Sequence, residues 1–184
     1  HRLGRREEGT KEMEASRAEF EAAGDPASLA RVLNDLAVDA VQAGDLERAE
    51  ALFEGAFAAT RAASPSNTGA TFLGNLANLA LMRGHPETAE SRYRETVAIF
   101  QGLGRPGREA LHREGLAVAL WELGRGDEAL LELDRSLELA RAQPVGPNLA
   151  DRLHTRARIR LEHGITTEAA HDADEIERLT RSTG

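Results

Sequence analysis

The chain has 184 residues, of which 41% are hydrophobic, 29% are charged and only 4% are aromatic. These proportions indicate a folded globular protein and exclude an intrinsically disordered one. The abundance of alanine and leucine favours helices over sheets. The net charge of −8 disfavours nucleic acid as a partner, because phosphate contacts need concentrated positive charge.

Cysteine usage, hydropathy and the choice of basic residues indicate a location and a source. There is no cysteine, which excludes disulfides and thiolate metal sites. No apolar run approaches the roughly 20 residues that span a bilayer. These features predict a cytoplasmic protein. Of the 23 basic residues all but Lys11 are arginine, a bias that we interpret as that of a bacterium with GC-rich DNA.

The sequence matches itself at an interval of 40 residues. Glycine recurs in one column and alanine in three others: Gly44, Gly84, Gly124 and Gly164; Ala30, Ala70, Ala110 and Ala150; Ala37, Ala77, Ala117 and Ala157; Ala49, Ala89, Ala129 and Ala169. A larger residue follows in the column of Phe53, Tyr93 and Leu133. This pattern predicts a tandem array of one structural unit.

The array begins with a partial copy. The segment LGRREEG at residues 3–9 resembles LGRGDEA at 123–129. This match predicts a turn at Gly4 and makes residues 5–22 the second helix of a repeat, with Gly9 in a small column and Met13 in the large one. The first helix of that repeat would precede His1. The chain is therefore expected to be a piece of a longer array.

Each further unit is predicted to be a helical hairpin. Ala30, Ala37 and Gly44 are spaced by seven residues, so they share one face of a helix. The glycine then ends that helix in the left-handed conformation. Proline lies in the first turn at Pro26, Pro86 and Pro106, where its missing N–H costs nothing. The predicted helices are 26–43, 46–62, 68–83, 86–101, 107–123, 126–142, 148–163 and 166–181.

The motif Leu33-x2-Leu36-Ala37-x2-Ala40, followed by Gly44 and Ala49-x3-Phe53-x2-Ala56, resembles the tetratricopeptide repeat. The period of 40 exceeds the usual length of about 34 and falls in the range of HEAT and armadillo repeats. The small-to-aromatic pattern after the glycine nevertheless favours the tetratricopeptide repeat. The long period is similar to that of kinesin light chains and of SARP-type and LuxR-type regulators in GC-rich bacteria.

This resemblance implies an all-α fold, a right-handed α-solenoid of antiparallel helix hairpins. The expected organisation is one continuous domain. Its parts are the second helix of a truncated repeat at 1–24 and hairpins at 25–64, 65–104, 105–144 and 145–184.

The resemblance also implies a concave groove lined by the first helices of the hairpins. Its predicted binding residues are Arg31, Asn34, Asn75, Asn78, Glu114, Trp121, His154 and Arg158. Asparagine suits such a groove because its amide can donate to and accept from a peptide backbone, although the interpretation of these asparagines as solvent-facing polar residues is favoured. The groove has no lysine, so we reject the carboxylate clamp that some tetratricopeptide domains use on chaperones.

Two of these positions have a structural alternative. Trp121 could anchor a ligand, but it shares its column with Val41, Leu81 and Leu161, which favours packing between repeats. The last hairpin carries Arg152, Arg156, Arg158 and Arg160 on its first helix, opposite Glu168, Asp172 and Glu175 on its second. A salt-bridged hairpin, with Arg156 reaching across it, is favoured over a site for an anionic partner.

No catalytic motif is present: the sequence lacks GxxxxGK[ST], HExxH and GxSxG. The histidines show no short ligand spacing, so neither metal nor cofactor is expected. We predict a non-catalytic scaffold for a protein or peptide, and specifically the regulatory region of a larger bacterial transcription regulator or signalling NTPase. The partner could be another domain of the same chain. The alternative is a stand-alone adaptor or sensor of peptides or small ligands. Weak dimerisation through the N-terminal end is also expected.

Overall fold

The structure, a computed structural model, describes residues 2–61, 66–143 and 149–182, and the side chains of 9–60, 66–143 and 149–181. These residues form helices and no strand. The helices are α1 Arg2–Ala23, α2 Pro26–Ala43, α3 Leu46–Arg61, α4 Asn67–Met82, α5 Pro86–Gly102, α6 Pro106–Glu122, α7 Gly126–Arg141, α8 Leu149–Glu162 and α9 Thr166–Ser182. The all-α class is confirmed, and the predicted bounds of α2 to α9 that fall on described residues agree with these to one residue. The predicted end at residue 62 and the predicted start at residue 148 lie outside the described residues.

The glycine column ends helices as expected. Gly44, Gly84, Gly124 and Gly164 all adopt positive φ, between 73° and 80°. An L side chain is strained in that conformation, which explains why glycine recurs there. The turn predicted at Gly4 is wrong, because α1 runs through it from Arg2 to Ala23.

The helices form two compact units, His1–His85 and Pro86–Gly184. In the first unit, α2 packs against α1 and α3, and α3 packs against α4. Asp25 caps α2 by accepting hydrogen bonds from the backbone N–H groups of Ala27 and Ser28. In the core, Ala37 and Ala49 are completely buried beside Phe53, and Met13 of α1 packs against the same cluster. Small residues at the helix contacts let the helices approach each other closely, while Phe53 fills the remaining space.

In the second unit, α5 packs against α6, α6 against α7, α7 against α8 and α8 against α9. Its core combines apolar side chains such as Tyr93, Leu133 and Leu153 with buried ion pairs. Arg113 of α6, which stands in the column of Leu33, pairs with Glu132 of α7 and with Glu109 of α6. Within the described residues, every buried side-chain nitrogen or oxygen has a hydrogen-bond partner.

Among the described residues, no helix has the length and apolarity needed to cross a bilayer.

Candidate functional site

Two predicted site residues in the first unit hydrogen-bond to each other. The Asn75 Nδ2 of α4 donates to Asn34 Oδ1 of α2 at 2.8 Å, and Asn34 Nδ2 donates to Asp35 at 3.3 Å. Both asparagines are half-buried. This bond links the first helices of two successive hairpins, so Asn34 has a structural role in addition to any contact with a ligand.

An apolar cavity lies next to this bond. Its volume is about 190 Å³, and it is lined by Val38, Val41, Gln42, Phe53, Asn75, Asn78, Leu79 and Met82. We call it the α2–α4 cavity. Phe53 and Leu79 are buried, whereas Val38 is 39% exposed and Met82 is 57% exposed. The cavity therefore has an apolar floor and an exposed apolar rim, with the amides of Asn75, Asn78 and Gln42 on its walls.

Arg31 belongs to a different depression. It is exposed and lines a cavity of about 440 Å³ together with Pro26, Ala27, Ser28, Ala59, Thr60, Ser66 and Thr68. This hydroxyl-lined cavity lies where α2 and α4 begin. The structure therefore brings Asn75 and Asn78 together at one cavity but does not place Arg31 there.

In the second unit, Glu114 of α6 is half-buried and engaged with α8. Its carboxylate lies 3.4 Å from Arg152 Nε, which also donates to Ser136 Oγ at 2.9 Å. Burial raises the pKa of Glu114; the positive charge of Arg152 opposes this shift and the negative charge of Asp151 adds to it. Glu114 therefore belongs to a network of polar contacts inside the fold, with Arg152 and Ser136, that the sequence did not reveal.

Trp121 and Arg158 form a cation–π pair. The Arg158 guanidinium carbon lies 4.6 Å from the centroid of the indole ring. Trp121 is half-buried and Arg158 is exposed, as is His154 one turn earlier on α8. Four of the predicted residues, Glu114, Trp121, His154 and Arg158, therefore lie on α6 and α8. Two of them, Trp121 and Arg158, are in contact.

Sequence reasoning missed most of the lining of the α2–α4 cavity. Val41, Gln42, Leu79 and Met82 are on the two helices that carry the predicted residues. Val41 and Gln42 follow Val38 by three and four residues, and Leu79 and Met82 follow Asn75 and Asn78 by four. The available signal was an apolar methionine, Met82, at the end of α4. As to metal ions, no group of three or more histidine or acidic side chains suited to one occurs in the described parts of the chain.

The sequence profile of the tetratricopeptide repeat family matches residues 28–102. No curated protein sequence matches the chain. Residues 28–102 are therefore tetratricopeptide repeats, and solved structures show that they resemble the repeats of kinesin light chain-like proteins.

Similar solved structures include BtubC (BKLC) from P. vanneervenii, with a TM-score of 0.79, 22% identity and coverage of 86% of this chain and 66% of that one. A kinesin light chain-type protein of Podosopora anserina with nearly identical TPR-like repeats has a TM-score of 0.79 and 19% identity, with coverage of 99% and 90%. Aspartyl phosphate phosphatase F from Bacillus subtilis has a TM-score of 0.84 and 11% identity, with coverage of 95% and 46%. The chain thus spans less than half of the phosphatase. These likenesses show the fold.

Proposed function

We propose that this chain, like tetratricopeptide repeats in general, is a scaffold for protein interaction. It is non-catalytic and binds an extended peptide segment at the α2–α4 cavity. The single observation that carries the proposal is the exposed apolar rim at Val38 and Met82, next to the amides of Asn75 and Asn78. Exposed apolar surface bordered by polar groups is typical of an interaction site.

The volume of the α2–α4 cavity suits a single peptide side chain better than a whole small molecule. Pockets for small molecules have volumes of about 300–1,000 Å³, and this one measures about 190 Å³. An apolar peptide side chain would enter between Val38 and Met82 and contact Phe53. The Asn78 amide would then bond the peptide backbone, because it can donate and accept at once.

Peptide selection followed by calorimetry tests this proposal. A display library of random peptides should yield binders, and Met82→Glu should weaken them at least about tenfold, because a buried charge without a partner is costly. Asn78→Ala should weaken them less. Leu131→Glu is the matched control, because Leu131 is 61% exposed on α7 in the second unit, and it should leave binding unchanged.

Two outcomes would contradict the proposal. One is a library that yields no binder to the folded protein. The other is a set of binders that Met82→Glu and Leu131→Glu affect equally, since the α2–α4 cavity would then have no part in binding.

At the level of the whole protein, we propose that the repeats are a regulatory region of a larger bacterial regulator or signalling NTPase, located in the cytoplasm. The arginine bias of the sequence supports a bacterial source, and in the Bacillus subtilis phosphatase the same fold is contained in a longer chain. The alternative is a stand-alone adaptor or sensor. The hydroxyl-lined cavity of about 440 Å³, which is within the size range of small-ligand pockets, supports that alternative.

Sequencing the gene upstream of the codon for His1 separates these two possibilities. A phosphate-binding or DNA-binding domain in the same reading frame would support the regulatory region. A short leader that supplies only one further helix would instead favour the stand-alone adaptor, and the hydroxyl-lined cavity would become the place to search for a ligand.

A further inference from the structure

Helix α8 carries four arginines, and three of them bond within the fold. Arg152 contacts Ser136 and Glu114, Arg156 contacts Asp172 and Asp134, and Arg160 contacts Asp172. These three arginines are neutralised by the helices packed beside them. They are therefore already occupied and are poor candidates for binding an external anion.

Arg158 differs from its neighbours. Its guanidinium lies over the ring of Trp121 at 4.6 Å, its side chain is exposed, and no carboxylate among the described residues pairs with it. A guanidinium that rests on an aromatic ring keeps its N–H groups in the plane of the fork, where they can bond both oxygens of one carboxylate. Because the ring already fixes the side chain, less conformational entropy is lost when it binds.

We propose that Arg158, held on Trp121, binds the side-chain carboxylate of an aspartate or glutamate in a partner peptide. Leu161 lies three residues further along α8, is 56% exposed and shares the side of the helix that Arg158 occupies. The ligand is therefore an acidic residue next to an apolar one. The exposed His154 one turn earlier adds a further hydrogen-bonding group to this surface.

A side-chain carboxylate fits this surface better than the C-terminus of a peptide does. Capture of a C-terminal carboxylate typically uses a nest of free backbone N–H groups. Arg158 is inside the helix Leu149–Glu162, where the backbone N–H groups are already bonded to the preceding turn. The side chain of Arg158 must therefore supply the donors, and its single fork matches one carboxylate.

The net charge of −8 limits where an acidic peptide can bind to this chain. A strongly negative chain repels acidic peptides in general, so binding of an acidic peptide requires a local cation that is not already paired. Glu114, the half-buried carboxylate on α6, is already paired with Arg152. On α8, Arg158 is the arginine without a carboxylate partner among the described residues, so it can compensate the charge of a ligand at this surface.

Trp121 is the only tryptophan of the chain, so its fluorescence reports on this site directly. The probes are decapeptides with blocked termini and a central Leu-Glu, compared with otherwise identical peptides that contain Leu-Gln. We expect the Leu-Glu peptide to change the fluorescence of Trp121 saturably at neutral pH, and the Leu-Gln peptide to leave it unchanged. A third peptide contains Leu-Gln and ends in a free C-terminal carboxylate. It tests whether Arg158 binds a C-terminal carboxylate instead of a side-chain one, and we expect it to leave the fluorescence of Trp121 unchanged.

The variants separate a binding role from a structural one. Arg158→Gln should weaken the Leu-Glu peptide at least about fivefold by calorimetry, and Arg158→Lys should give an intermediate loss, because lysine keeps the charge without the fork. Arg135→Gln is the matched control: it removes an exposed arginine from α7 in the same unit, and it should bind as the wild type does. Circular dichroism checks that each variant is folded.

Three results would overturn the proposal: equal binding of the Leu-Glu and Leu-Gln peptides, preference for the free C-terminal carboxylate, or an Arg158→Gln variant that binds like Arg135→Gln. The proposal is independent of the α2–α4 cavity, because Met82→Glu should leave binding of the Leu-Glu peptide unchanged. Failure at one site is therefore distinguishable from failure at the other.

Discussion

At the scale of single residues, the buried ring of Tyr93 leaves no space for a side chain at Gly115. Tyr93 is 1% exposed, and its ring lies against the backbone of α6 at Gly115. A Cβ added at Gly115 would lie only 2.5 Å from Tyr93 Cε1. The repeat carries a larger polar residue, Asn75, in the column that Gly115 occupies, so the loss of a side chain at 115 accommodates the tyrosine ring.

Gly115→Ala should destabilise the protein by about 1–3 kcal/mol, because a buried ring must shift to admit the methyl group. Gly107→Ala is the matched control in the same helix: its added Cβ meets no atom within 4 Å. Replacement of a helical glycine by alanine in open space should be neutral or stabilising by up to about 1 kcal/mol. Urea unfolding measures both changes. Equal effects would show that Tyr93 does not restrict position 115.

His112 makes stability depend on pH. The ring is buried against Phe100, with its centroid 5.0 Å from the phenyl centroid, and its Nδ1 donates to the Arg108 carbonyl at 2.8 Å. Burial lowers the pKa of His112 and the nearby Arg108 charge lowers it further, against the opposing effect of the carbonyl bond. The folded state therefore holds the ring neutral at a pH where the unfolded chain takes up a proton.

The sign of the effect follows from linkage. As pH falls below about 6.5, the ordinary pKa of histidine, the unfolded state binds more protons and the folded state loses stability. His112→Leu should therefore lessen the loss of stability between neutral pH and about pH 5 that urea unfolding detects in the wild type. His171→Leu, at an exposed position on α9, should keep the wild-type slope. Parallel slopes for His112→Leu and the wild type would contradict this role for His112.

Sequence reasoning at this scale found residue types but not their contacts. Asn75 and Asn78 do line one cavity, yet the bond between Asn34 and Asn75 depends on how two helices pack, which no spacing within a helix reveals. The same holds for Arg158 and Trp121, which lie on α8 and α6 with another helix between them in sequence. Their contact depends on the packing of separate helices.

At the scale of elements, the last hairpin carries an ion pair in the columns where the first hairpin carries two leucines. Arg156 stands in the column of Leu36 and Leu116, and Asp172 stands in that of Leu52. The Arg156 guanidinium bonds Asp172 at 2.5 Å, with Asp172 only 2% exposed. The salt-bridged hairpin predicted from the sequence is confirmed, and the pair holds α8 against α9.

Asp172→Ala should destabilise the protein by about 3–5 kcal/mol, because it removes the buried carboxylate that pairs with both Arg156 and Arg160. The double variant Arg156→Leu with Asp172→Leu should recover most of that loss, since it restores the two leucines that the first hairpin carries in these columns, Leu36 and Leu52. Glu177→Ala breaks the exposed pair with Arg181 and should cost only about 0–1 kcal/mol. Thermal unfolding distinguishes these cases. A double variant no more stable than Asp172→Ala would show that the hairpin requires the charges.

The wrong prediction of a turn at Gly4 shows that an isolated glycine does not by itself predict the end of a helix. At two of the turns, a residue that caps or starts the next helix lies just after the glycine, as in Gly44-Asp45 and Gly84-His85-Pro86. Gly4 is instead followed by two arginines and two glutamates, which all favour helix. The helix therefore continues through it, since one glycine costs only about 1 kcal/mol relative to alanine.

At the scale of the whole molecule, the period of the sequence predicted the helical hairpins and their order, and the resemblance to tetratricopeptide repeats implied the fold class. Columns at 40-residue intervals place small residues at helix contacts and glycine at helix ends, and both features follow from backbone geometry. Cavities are different, because their volume depends on side chains that vary between repeats. The α2–α4 cavity is lined by Val38 and Met82, and the column of Met82 holds polar residues in the other hairpins, Gln42, Glu122 and Glu162.

The charge distribution of the molecule leads to a last prediction. DNA binding without sequence preference needs several cations free to contact phosphates, whereas on α8 the arginines 152, 156 and 160 contact groups within the fold. We therefore expect no retardation of a short DNA duplex in a gel-shift assay at physiological salt, even at protein concentrations of about 10 µM. Retardation that Arg158→Gln abolishes would contradict this expectation. It would show that Arg158 of α8 is sufficient to bind DNA phosphates despite the net charge of −8.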